Sequence, residues 1–234
     1  MYPILLLPPL ALLCYDRHRQ LKASEPLFNF LLSEVSIVGV GISALLYASF
    51  LITGSWEFLT STYGVQLLLP DLTPNVGLWW YFFIEMFDSF RGFFLGVFWL
   101  HLSSYVAGLT IRIRRQLLFV ITTILGILAV FKPYPSISDT SLFLALLPLY
   151  RHVFPLMRYT FLASSTMLYA TLLGPAFHYL WIYAGSGNAN FFYAITLVWS
   201  LGLIVLLADS LYAVLRDEWE VERPDMKGKE AKQI

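Results

Sequence analysis

Charge is scarce in this 234-residue chain. Asp, Glu, Lys and Arg make up 13% of it, against about 25% in soluble domains. Fifteen basic residues balance fifteen acidic ones, so no basic excess exists to hold nucleic acid. Cysteine is nearly absent. The single Cys14 excludes an internal disulfide, and its apolar setting beside Tyr15 suits a small packed side chain rather than a nucleophile. No Ser-His-Asp grouping and no Gly-rich phosphate loop stand out. His178 has no second histidine or carboxylate at metal-ligand spacing on its own stretch, which argues against zinc. No cofactor is implied. Met1-Tyr2-Pro3 lacks a basic start and Pro8-Pro9 interrupts the apolar run that follows, so no cleaved signal peptide is expected.

Apolar residues are abundant. The chain is 58% hydrophobic and 17% aromatic, with a mean hydropathy of +0.69, the composition of a polytopic membrane protein. Backbone in hydrocarbon must satisfy its own hydrogen bonds, so an all-α fold is expected. A full crossing needs roughly 20 apolar residues. The apolar runs predict about seven transmembrane or partly embedded helices, at 1–15, 27–53, 77–107, 116–131, 141–150, 159–183 and 191–215, followed by a charged cytoplasmic tail at 216–234. The first run is short and reads as the end of a helix begun upstream. Lys and Arg concentrate in 16–25, 108–115, 151–158 and the tail, and are sparse in 54–76, 132–140 and 185–190. Basic connections favour the cytoplasm. The two kinds alternate strictly if every run crosses once, which places 185–190 on the opposite side.

The chain turns on Gly185-Ser186-Gly187-Asn188-Ala189-Asn190. From Thr160 to Ala208 there is no Asp, Glu, Lys or Arg, and this polar break divides the stretch into two spans. Aromatics crowd both sides, Tyr179, Trp181 and Tyr183 before it and Phe191, Phe192 and Tyr193 after it, as at a membrane surface. Two readings stand: an ordinary interhelical turn, or a tip that binds lipid headgroups through amides able to donate and accept. In a locally extended tip, Asn188 and Asn190 would point the same way and meet one ligand.

Other candidates are structural or interfacial. Glu85, Asp88 and Arg91 recur every three residues, on one face of a third helix; as charges in an apolar run they read as a packing pair or subunit contact, or as a proton relay. His178 reads as a packing histidine. The Arg17–Lys22 cluster is a cytoplasmic flank or a holder of anionic headgroups. Asp71 and Asp139 are the acidic residues a lipid-linked-sugar glycosyltransferase would need, but they are isolated.

Three stretches together resemble one family: 70–87 (PDLTPNVGLWWYFFIEMF), 131–135 (FKPYP) and 180–195 (LWIYAGSGNANFFYAI). They are similar to the GPI transamidase subunit PIG-U family, whose members are longer at the N-terminus, so the chain resembles a C-terminal portion. The resemblance implies the C-terminal part of a glycosyltransferase-like multi-helix membrane fold. It also implies a non-catalytic subunit in the endoplasmic reticulum membrane, the catalytic cysteine lying on another chain. Its partners would be subunits K, S and T, the GPI-attachment subunit, the membrane and the GPI lipid, with no nucleic acid. The family's loop asparagines carry over to Asn188 and Asn190, with Ser186 beside them, as GPI-binding residues. Gly187 stands where alanine is more usual, which is expected to loosen the loop. Ser89 stands where histidine is common, so no role of that histidine carries over. The alternative function is a membrane glycosyltransferase acting on a lipid-linked sugar.

Overall fold

The computed structural model describes residues 2–20, 26–69 and 72–229. Lys22, Asp71 and the last five residues, among the candidates and tail named above, lie outside them. Among the described residues every regular element is helical. The order is α1 (Tyr2–Gln20), α2 (Leu27–Thr53), α3 (Glu57–Leu59), a π-helical turn (Thr60–Gly64), α4 (Val65–Leu68), α5 (Trp80–Glu85), α6 (Asp88–Arg112), α7 (Leu117–Phe131), α8 (Ile137–Leu146), a 3-10 segment (Leu147–Leu156), α9 (Thr160–Ile182) and α10 (Ala189–Glu222), ending in a 3-10 turn (Pro224–Met226). Among the described residues three helices are long and apolar enough to cross a membrane: Phe28–Thr53, Asp88–Arg112 and Ala189–Glu222. The apolar α7 is shorter, at 15 residues. The chain divides into two units, Met1–Thr73 with Phe82–Ile124, and Pro74–Tyr81 with Leu125–Ile234.

In the first unit α1 runs through Pro8 and Pro9 and carries Arg17, His18 and Arg19 in its last turn. It contacts α2 and α6. Asp16 takes both terminal nitrogens of Arg114, at 2.7 and 2.9 Å, the fork geometry in which guanidinium and carboxylate bind best. The run expected as one helix over 77–107 is broken at Met86–Phe87. Phe87 is extended, with ψ 137°, so α6 starts afresh at Asp88. Glu85 ends α5, and the shared face of Glu85, Asp88 and Arg91 does not exist. Asp88 pairs with Arg91 within the first turn of α6, where an acid also suits the helix dipole. The Asp88 side chain is 87% exposed, so the pair is not the buried one expected.

In the second unit α9 and α10 form an antiparallel hairpin, the most extensive helix contact in the chain. Gly202 sets how closely they cross. A Cβ there would meet Met167 Cγ at 2.7 Å and the backbone oxygen of Ala163 at 3.3 Å, the close approach that small residues allow between membrane helices. Tyr159, the residue before α9, caps nothing with its own side chain. Asp209 of α10 does that work: its carboxylate accepts the N–H of Arg158 at 2.9 and 3.0 Å and that of Tyr159 at 2.8 Å. A buried carboxylate is tolerable when several donors satisfy it. The same helix continues past the expected tail boundary to Glu222. There Arg216 bonds Glu220 at 2.7 Å, and Arg216 and Arg223 lie over the Trp219 ring.

Between α7 and α8 the chain buries an ion pair. Lys132 Nζ lies 2.9 Å from Asp139, with side chains 9% and 6% exposed. Asp139 also accepts the N–H of Ser136 at 2.6 Å, completing a capping box on α8. Burial pushes Lys132 down to about 8 and Asp139 up, while the Ser136 N–H opposes the latter shift.

Candidate functional site

The polar break folds as a closed turn. The N–H groups of Ser186 and Gly187 both donate to the Leu180 carbonyl, at 3.0 and 3.1 Å, and Ala184 donates to Tyr179 at 3.1 Å. Gly185 permits this at φ +64°, a conformation costly for residues with a Cβ. Gly187 is engaged in this turn. Its N–H is bonded, and a Cβ on it would sit 3.3 Å from the backbone of Leu180 and Trp181.

The two asparagines have different duties. Asn188 is extended and caps α10, its Oδ1 accepting the N–H of Asn190 at 3.0 Å and of Phe191 at 3.3 Å. Asn190 lies in the first helical turn, and its Oδ1 accepts the Tyr81 hydroxyl at 2.8 Å. The common direction expected of an extended tip is lost because the helix begins between them. Both carbonyl oxygens are occupied, while both amide NH2 groups remain as donors on exposed side chains. Ser186 is exposed beside them.

Tyr81 is held by stacking on Tyr193, with centroids 4.8 Å apart. Trp80, fully buried, lies against Trp181, Phe192 and Tyr193 and its Nε1 donates to Thr196 Oγ1 at 3.4 Å. The segment before it is clamped too. Asn75 Oδ1 accepts the Gly77 N–H at 2.7 Å, Asn75 Nδ2 reaches the Pro135 carbonyl at 3.4 Å, and Trp79 Nε1 reaches the Phe131 carbonyl at 3.2 Å. Gly77 leaves room for the Pro135 ring, which a Cβ there would strike.

Beside this aromatic cluster, at the turn end of the hairpin, lies a cavity of about 700 Å³, within the usual range for ligand pockets. Gly174, His178 and Tyr179 of α9, Phe192, Ile195 and Trp199 of α10, and Pro74 to Val76 line it. Its polar lining is sparse: His178, Asn75, Thr171, Thr196 and the tyrosine rims. His178 makes ring contacts, 5.2 Å to Phe192 and 6.3 Å to Tyr183, and is half-buried at the wall. Such a chamber suits lipid chains; Asn188, Asn190 and Ser186 are not among its lining residues. Glu85, Asp88 and Arg91 are not among its lining residues.

Sequence reasoning passed over Tyr81 and Asn75 as site residues, although both lie in the first stretch that carries the resemblance. Tyr81 meets Asn190 across 109 positions, which no local pattern reveals.

A family model described as GPI transamidase subunit PIG-U matches residues 1–199. The chain belongs to the PIG-U family. The human GPI-anchor transamidase component PIGU is 38% identical over 221 residues, covering 94% of this chain and 51% of that protein. The Saccharomyces cerevisiae GPI transamidase component GAB1 is 40% identical over 227 residues, 97% of this chain and 55% of that protein. The Schizosaccharomyces pombe GAB1 homolog is 41% identical over 193 residues, 82% and 47%. This PIG-U family chain spans about half the length of the curated relatives it matches. Its membrane character follows from that family and from the three spanning-length apolar helices.

Proposed function

We propose that the chain is a non-catalytic part of a GPI transamidase in the endoplasmic reticulum membrane, where it holds the GPI lipid for attachment to proteins. The observation that carries this reading is the apolar cavity at the turn end of the α9–α10 hairpin, the same hairpin whose turn exposes two asparagine amides with unspent NH2 groups. Acyl chains occupy the cavity, and the amides of Asn188 and Asn190, with the Ser186 hydroxyl, bond sugar or phosphate oxygens. The hairpin tip faces the lumen, and about seven helices cross or enter the bilayer. Subunits K, S and T and the GPI-attachment subunit complete the complex, one of them carrying the cysteine nucleophile. Cys14, half-buried in α1, serves packing.

The glycosyltransferase alternative is not favoured. It needs a lumenal carboxylate able to act as base or metal ligand; of the two candidates, Asp139 is spent on Lys132 and Ser136, and Asp71 lies outside the described residues.

The test follows from the duties of the asparagines. Asn188→Asp keeps the helix cap, since Asp caps as well as Asn, and Asn190→Asp keeps the acceptor for Tyr81. Together they delete both NH2 donors. Each donor bonded to a charged group is worth about 1.5–3 kcal/mol, so GPI attachment should fall by a factor on the order of a hundred or more with partner co-purification intact. Surface GPI-anchored protein in cells relying on the variant reads this out. Full attachment with intact assembly would reduce the turn to a connector.

A further inference from the structure

At the other end of the same hairpin, a second groove of about 490 Å³ runs between α9 and α10. We propose that it holds an anionic phospholipid, the phosphate on Arg158 and one acyl chain against Leu162, Val205 and Ala208. It is separate from the cavity above, with which it shares no lining residue.

Three donors meet at its rim. The Arg158 guanidinium lies 4.7 Å over the Tyr212 ring, and among the described residues it makes no ion pair. The hydroxyls of Tyr159 and Tyr212 have no hydrogen-bond partner among those residues, and their side chains are 56% and 38% exposed. The N–H groups of Arg158 and Tyr159, just before α9, take no part, because Asp209 already occupies them. That cap instead fixes the backbone on which Arg158 and Tyr159 sit, and its carboxylate is satisfied by backbone donors. The Asp209 carboxylate also lines the groove, but it is taken by the backbone N–H groups of Arg158 and Tyr159, so the stacked guanidinium keeps its N–H edge open for a phosphate.

Position selects a lipid over a soluble anion. Arg158 stands just outside the charge-free stretch from Thr160 to Ala208, where hydrocarbon gives way to headgroups. Below it the wall formed by Leu162, Val205 and Ala208 is apolar. Tyrosines at that level match the interfacial preference of their rings. A phosphate joined to an acyl chain complements cation, phenols and apolar wall together, whereas free phosphate uses only the rim.

The experiment uses the chain extracted from membranes with the proteins that co-purify with it. Binding of short-chain phosphatidic acid is compared with that of the matching diacylglycerol and of inorganic phosphate. Wild type is expected to bind phosphatidic acid at least tenfold more tightly than either control. Arg158→Gln should weaken that binding about ten- to a hundredfold, with helix content and thermal midpoint unchanged because the α9 cap uses the backbone N–H. Tyr212→Leu should weaken it less. Equal binding of diacylglycerol, equal binding of inorganic phosphate, or Arg158→Gln binding like wild type each overturns the assignment. The measurement does not depend on GPI attachment, so it stands or falls apart from the reading of the first cavity.

Discussion

α2 and α10 are both long apolar helices of spanning length, yet none of the most apolar stretch of α2 is buried within the chain, against 39% of that of α10. Their small residues look alike in the sequence. Gly39 and Gly41 of α2 have nothing within 4 Å of a built Cβ, whereas Gly202 of α10 lies against Met167 and Ala163. Apolarity tells that a helix leaves water; it does not tell what replaces the water. α10 is committed to a protein neighbour through Gly202, Asp209 and its Asn188 cap. Among the described residues nothing packs on Gly39 or Gly41 of α2.

The contrast sets a ranking of effects. The largest is expected where polar groups are buried in the second unit. Lys132→Met leaves Asp139 buried without its cation and should destabilise by about 3–5 kcal/mol, and adding Asp139→Leu should recover part of that. The pair also has a pH signature. Folded Lys132 titrates at about 8, below the ordinary 10.5. Between those values the unfolded chain holds a proton the folded chain has shed, so this group's contribution to stability rises with pH across the window. Thermal unfolding of wild type at about pH 8 and about pH 10, beside Lys132→Met, checks it: the variant should lack this component.

Next comes the helix crossing. Gly202→Leu forces side-chain volume into Met167 and should cost about 1–3 kcal/mol. Gly39→Leu in α2 should stay within about 0.5 kcal/mol. Equal losses in thermal midpoint would mean that α2 is packed as tightly as α10. Smaller again, Asn188→Ala removes the α10 cap and should cost about 1 kcal/mol, while Asn188→Asp should cost almost nothing. Smallest, Asp88→Asn breaks the exposed pair with Arg91 in the first unit, worth about 0–1 kcal/mol.

Much of this was legible in residue patterns. The helix at 27–53 and the turn at 185–190 follow from uninterrupted apolar runs and from the Gly-Ser-Gly-Asn punctuation. The break at Met86–Phe87 was not legible, because the aromatic run continues through it without Gly or Pro. The division of labour between Asn188 and Asn190 was hidden too: where α10 starts decides which amide caps and which faces outward, and helix starts are hard to fix within a residue or two. Asp209 ended the charge-free stretch conspicuously, yet its partners lie 50 and 51 positions earlier. Long-range pairing of this kind comes from the hairpin, not from any local signal.

The decisive measurement fills the cavity from one of its own wall positions, Gly174. A Cβ on Gly174 would have only Ile195 Cγ2 near it, at 3.9 Å, so Gly174→Trp adds bulk at a position that lines the cavity. GPI lipid retained by the complex, quantified by mass spectrometry after extraction from membranes, should fall at least tenfold relative to wild type while the same partner proteins co-purify. Undiminished GPI lipid with Trp at position 174 would contradict the assignment of this cavity to the lipid.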